Sequence, residues 1–109
     1  MKDDTIYLVH IRECIERIEG YIKGGHQEFT TSHMVQDAVL RNLQVMAESC
    51  QHLSEKLKSE NPNIDWNGLS GFRNVLVHDY LGVDLERVWI LVEKRLPELK
   101  SFIANKLPK

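Results

Sequence analysis

An all-α bundle of four or five helices is the fold this 109-residue chain predicts. Three observations predict it. Apolar residues recur at steps of three and four over most of the length. No stretch alternates apolar and polar residues at the period of two that a half-buried strand requires. Each apolar stripe is also bounded by residues that start or stop helices: Gly24-Gly25, Thr31-Ser32, Pro62, Asp65, Gly82 and Asp84.

Ile6 to Lys23 places Leu8, Ile11, Ile15, Ile18 and Ile22 on one face of a first helix. It stops at Gly24-Gly25, where a residue without a Cβ takes the left-handed cap conformation. Gly20 costs this helix up to ~1 kcal/mol relative to Ala. His26 to Thr30 reads as a polar connection around Phe29. The Thr31-Ser32 pair offers a hydroxyl cap for the longest stripe, which runs through Val35, Val39, Leu43, Met46, Cys50, Leu53 and Leu57, with Asp37 near its positive end. Ser59 to Asp65 is a break set by Asn61, Pro62 and Asn63. Asp65 then caps a third helix, with Ile64 and Leu69 at the spacing of a hydrophobic staple. Gly68 and Gly71 leave one ridge of its first turns bare enough for another backbone to come close, and Gly82 ends it. Asp84 caps a fourth helix, Val83 and Val88 repeat the staple spacing, and Leu85, Val88, Trp89, Val92 and Leu96 form its buried side. Pro97, tolerated in a first turn, reads as the start of a last short segment carrying Leu99, Phe102 and Ile103.

A chain of this length has room for one core, so residues 1–109 are expected to form a single helical domain. Its 42% hydrophobic and 28% charged residues exclude a disordered or a membrane-embedded chain. The formal net charge of −2 excludes a broad phosphate-neutralising surface. Any nucleic-acid contact must then be local, or be assembled from two subunits. MKDDTIYLVH has acids where a signal peptide has its basic region, which points to the cytoplasm and to no membrane partner. Cys14 and Cys50 both fall on apolar stripes and read as buried free thiols.

The third helix is the unusual one. Trp66 to Asp84 sets Arg73 and His78 five positions apart in an otherwise apolar stretch, with Asn74 between them and Tyr80 two residues beyond. On a regular helix Asn74 and His78 share a face, Arg73 and Tyr80 lie about 20° apart, and Arg73 and His78 about 140° apart. The set suits an RNA phosphodiester. A histidine can take the 2′-hydroxyl proton or donate to the leaving 5′-oxygen. A guanidinium can hold phosphate oxygens and stabilise the charge that builds up in the transition state. With the 2′-oxygen as internal nucleophile neither metal nor cofactor is needed, and the products are a 2′,3′-cyclic phosphate and a 5′-hydroxyl. The spacing alone fits equally a histidine capping a helix C-terminus and a solvated arginine.

Other polar positions are plainer. His10 and Cys14 stand at i and i+4, but two ligands without a second pair do not make a metal site. His26, His33 and His52 read as solvated or capping. Asp37 and Glu48, eleven residues apart, lie along one face of the second helix and read as a solvated face, with Arg41 placed to pair with Asp37.

The segment RNVLVHDY, Arg73 to Tyr80, resembles the Arg-x4-His-x-Tyr motif of the HEPN family (higher eukaryotes and prokaryotes nucleotide-binding), in its HepT-like toxin branch. DAVLRNLQVMAES, from Asp37 to Ser49, resembles the second-helix signature of that branch, and GVDLERVW with LPELK its C-terminal helices, so the likeness covers nearly the whole chain in order. The resemblance implies a HEPN-like helical homodimer whose motif helices meet at the interface. It implies a metal-independent endoribonuclease whose Arg73 and His78 act in a cleft shared between subunits, with Asn74 supporting them. It further implies an antitoxin of the MNT (minimal nucleotidyltransferase) type that silences the toxin by transferring AMP to Tyr80. It leaves open that Asp37 or Glu48 faces the cleft. A second reading, of a different class, is a non-catalytic helical module that binds a nucleotide or a nucleotidyltransferase partner through the same helix.

Overall fold

In the computed structural model, residues 3–107 are described, and they form six α-helices and one 3-10 turn. Helix α1 spans Asp4–Tyr21, α2 Gly25–Thr31, α3 His33–Gln51, α4 Glu55–Ser59, α5 Trp66–His78 and α6 Leu85–Lys106; the 3-10 turn, Tyr80–Gly82, joins the last two. The four long helices α1, α3, α5 and α6 are the expected bundle. Helix α3 is its spine, packing against α1 on one side and α5 on the other, while α6 closes over α1. Leu8, Ile11, Ile15 and Ile18 of α1 meet Val39, Leu43 and Met46 of α3 and Val88, Val92, Leu96 and Ile103 of α6 in one core.

The caps form as their residue types dictate. Ser32 accepts from the Val35 N–H, Asp65 from the Gly68 N–H, and Asp84 from the N–H groups of Glu86 and Arg87. Both staples sit against the core, with Ile64 and Val88 buried and Leu69 and Val83 partly so. Gly25 carries the only positive φ among the described residues, +85°, and turns the chain from α1 into α2.

Four local expectations change. Residues 26–30 are not a connection but most of helix α2. Phe29 is fully buried and lies 5.4 Å from the Trp89 ring, while His26 Nε2 sits 2.9 Å from both Glu86 carboxylate oxygens, so both ends of this short helix are fastened to α6. The long second stripe does not belong to one helix. Helix α3 stops at Gln51 because Asp4, at the start of α1, accepts from both the N–H (2.8 Å) and the hydroxyl (2.7 Å) of Ser54. Ser54 in turn caps the separate α4, accepting from the Leu57 N–H. Leu53 still reaches the core, which is why the apolar spacing ran on unbroken.

Pro97 lies inside α6 rather than at a start. A proline in a helix interior costs about 3 kcal/mol. Leu96, Leu99, Phe102 and Ile103 are all buried on the stripe begun by Val88 and Val92, and each contributes ~1.5–3 kcal/mol, so continuity wins. Finally, α5 ends at His78, before Gly82. Asp79, at φ −142° and ψ 50°, leaves the helix after its N–H bonds the Val75 carbonyl, and Tyr80 starts the 3-10 turn. No helix among the described residues is long and apolar enough to cross a membrane.

Candidate functional site

Helix α3 turns a polar row toward α5. Asp37, Arg41, Gln44 and Glu48 follow one another at steps of four, three and four, so they share a face. The opposite face of α3 carries Val39, Leu43 and Met46 into the core, which fixes the row's direction.

Arg73, on α5, meets this row. Its side chain is 29% exposed, and its Nε lies 3.7 Å from Glu48 Oε1, an ion-pair distance too long for a hydrogen bond. Gln44 Nε2 donates to the same Glu48 oxygen at 3.1 Å. Arg73 Nη1 donates to Asn74 Oδ1 at 3.3 Å. The Nε itself is shielded from solvent and makes no hydrogen bond among the described residues. The exposed part of the side chain lies elsewhere than at Nε, and a guanidinium there gains from an oxygen anion that reaches it.

Tyr80 meets the other end of the row. Because Asp79 breaks the helix, Tyr80 does not share the Arg73 face; its hydroxyl donates to Asp37 Oδ1 at 3.0 Å. Partial burial, then the Asp37 hydrogen bond and charge, hold the Tyr80 phenol above its ordinary value. The hydroxyl is held firmly in its protonated form.

His78 stands apart. It is the last residue of α5, exposed, and joined to no other side chain among the described residues. Arg73 and Asn74 are thus brought together, Tyr80 is brought to α3, and His78 is left facing solvent within one protomer. Helix α5 buries only Leu76 fully and leaves Val75 and Val77 exposed, and the turn after it leaves Tyr80 and Leu81 exposed, Leu81 by 98%. Exposed apolar side chains therefore lie on more than one side of the polar ones. A Cβ at Gly71 would meet nothing within 4 Å, and the nearest atoms to one at Gly68 belong to the Asp65 capping carboxylate.

Concave surface exists elsewhere. A cavity of about 130 Å³ lies between the start of α5 and α6, lined by Met46, Ile64, Leu69, Leu91 and Leu99, and an open groove of about 630 Å³ lies beside α4; neither includes a motif side chain.

Gln44 is the site residue that sequence reasoning passed over, while Asp37 and Glu48 were read first as a solvated face, with the resemblance leaving open that one faces the cleft. The eleven-residue spacing of Asp37 and Glu48 placed them on one face, but a solvated face; both in fact touch the motif. Arg41 makes no ion pair with Asp37 among the described residues, since Asp37 is turned to Tyr80 instead. His10 and Cys14 part company despite their spacing: Cys14 is buried in the core and His10 is exposed, its ring edge-on to Tyr7.

With this geometry in place, comparison with known proteins is informative. The family model described as Ribonuclease HepT-like matches residues 11–105. A Methanocaldococcus jannaschii protein, named as a gamma-glutamylcyclotransferase and candidate RNase, is 39% identical over 95% of this chain, which spans only 47% of that relative's length. A Thermococcus cleftensis protein, named a probable ribonuclease HepT, is 33% identical over 87% of each chain. Among solved structures, the tri-AMPylated HEPN toxin of Shewanella oneidensis, in complex with an MNT antitoxin, superposes with a TM-score of 0.71 at 27% identity, covering 95% of this chain and 96% of that one.

Proposed function

The chain belongs to the ribonuclease HepT-like family, and we propose that it is the toxin of a toxin–antitoxin pair, a cytoplasmic single-domain endoribonuclease that works as a homodimer. The observation that carries the proposal is the exposed motif surface. His78 is exposed and Arg73 partly so, and exposed apolar side chains, Val75, Val77 and Leu81, lie around them. Two such surfaces placed face to face bury part of these apolar side chains and enclose the polar groups in one cleft.

In that cleft Arg73 grips the phosphate of an RNA strand. Glu48 and Gln44 hold the guanidinium in place, and Asn74 braces its far side. His78 takes the proton of the 2′-hydroxyl and returns one to the leaving 5′-oxygen, a role typically worth 10²–10⁴-fold in rate. No metal enters this scheme, because the nucleophile is part of the substrate. The relative solved with an MNT antitoxin supports a nucleotidyltransferase partner for this chain as well. That partner silences the toxin by joining AMP to Tyr80, adding a charged, bulky group beside the cleft.

Purified wild type, Arg73→Ala and His78→Ala, incubated with total RNA and a chelator, test the assignment. Cleavage products ending in 2′,3′-cyclic phosphate are expected from the wild type, with loss of about 100-fold or more in each variant. A variant that cleaves at the wild-type rate removes its residue from the chemistry. A dimer that leaves RNA intact yet binds its nucleotidyltransferase tightly makes the protein a binding module instead.

A further inference from the structure

Residues 37 and 80, forty-three apart in sequence, are joined by one short hydrogen bond, from the Tyr80 hydroxyl to Asp37 Oδ1 at 3.0 Å. Nothing in the cleavage chemistry uses this contact. It does not hold α5 to α3, since Tyr80 lies outside α5 in the 3-10 turn and the two helices pack along their lengths. Both side chains are exposed enough for a partner to reach, Tyr80 by 39%.

Joining AMP to a tyrosine requires the phenol to lose its proton as its oxygen attacks phosphorus. An unperturbed phenol loses it near pH 10, and here the proton is held more tightly still. At neutral pH the phenolate is rare, so the reaction needs a base placed on that hydrogen. The only carboxylate so placed among the described residues is Asp37. Arg41, one turn further along the same face of α3, is exposed and forms no ion pair among the described residues, which leaves its charge to offset the negative charge of an approaching triphosphate.

We propose that Asp37 is the base that takes the Tyr80 proton when a nucleotidyltransferase adenylylates that tyrosine, so that the toxin supplies part of the chemistry of its own silencing. The idea rests on Tyr80 being the acceptor of AMP. In the step, the Tyr80 oxygen bonds the α-phosphorus of ATP and the bond from that phosphorus to the oxygen bridging the β-phosphate breaks. Pyrophosphate leaves with the electron pair. The phenolic proton passes to the Asp37 carboxylate and from there to water.

The test follows AMP incorporation by intact mass when the full chain is incubated with ATP and an MNT-type nucleotidyltransferase that forms a complex with it, for wild type, Asp37→Asn, Asp37→Ala, Asp37→Glu and Tyr80→Phe. Asparagine keeps an oxygen that accepts the Tyr80 hydrogen bond but cannot take the proton. Asp37→Asn is expected to slow incorporation about 100-fold or more, as Asp37→Ala does, while Asp37→Glu recovers part of the rate. The residual Asp37→Asn rate should climb about tenfold per pH unit above neutrality as phenolate forms unaided, more steeply than in the wild type. Wild-type speed in Asp37→Asn with a slow Asp37→Ala overturns the proposal, because Asp37 then only positions Tyr80. Wild-type speed in both overturns it as well. Failure of the underlying reading looks different: a wild-type chain that gains no AMP, or a Tyr80→Phe chain that gains as much as the wild type.

Discussion

Leu81→Ala should take the proposed dimer apart without harming the fold. Leu81 is 98% exposed, in the turn directly after the motif helix, so its whole side chain is available for burial against a second copy. Burying a leucine completely contributes ~1.5–3 kcal/mol, and truncation to alanine forfeits most of that. A twofold interface contains the residue twice, which brings the loss to ~2–5 kcal/mol per dimer, or a dissociation constant raised about 30-fold to several thousand-fold. The cost to the folded protomer should stay within ~0.5 kcal/mol, because an exposed leucine packs against little. Sedimentation velocity over a dilution series measures the dissociation constant, thermal melting checks the fold, and Ile6→Ala, on an exposed part of α1, serves as the control. RNA cleavage should fall in step with the dimer fraction. A Leu81→Ala chain that dimerises as tightly as the wild type would refute the placement of the interface.

Two further outcomes test the fold. Asp4→Ala removes the carboxylate that accepts from the N–H and hydroxyl of Ser54 and so frees the break between α3 and α4; a loss of about 1–3 kcal/mol is expected, read as a lower urea midpoint at unchanged slope. Burial pushes the Cys50 thiol up to about 12 and raises Cys14 as well, so iodoacetamide should label neither in the folded chain near neutral pH and both in concentrated urea. The same shift carries a pH signature. Cys50 favours the fold fully below its unfolded value of 9.0, and this contribution is lost as pH rises toward about 12, so Cys50→Ala should show a shallower decline in urea titrations across that window, with Cys14 and Tyr80 supplying the remainder.

What the sequence disclosed followed from how local each signal is. Ser32, Asp65 and Asp84 cap as read, because a cap is settled by residues within one turn of it. Helix α2 was illegible because seven residues with one buried side chain, Phe29, show no periodicity; what makes them helical is docking on Trp89 and Glu86, some sixty residues away. The break before Ser54 was hidden for the same reason, its cause being Asp4 at the far end of the chain. Pro97 misled because local propensity argued for a new helix, while the buried stripe from Val88 to Ile103 decided for a continuous one. In the site, Arg73, Asn74, His78 and Tyr80 stood out as polar side chains in an apolar helix. Their partners on α3 did not, since spacing shows which residues share a face but not which helix that face meets.

The central claim is that two protomers build one cleft from motif surfaces that are incomplete alone. Mixing Arg73→Ala with His78→Ala, each inactive by itself, tests it most directly. If the arginine of one subunit works with the histidine of the other, random exchange makes about half of all dimers mixed, each with one intact pair, and cleavage should return to roughly a quarter of the wild-type rate. If the mixture stays as inactive as its components after mixed dimers have been shown to form, Arg73 and His78 do not act across the interface, and the shared cleft is wrong.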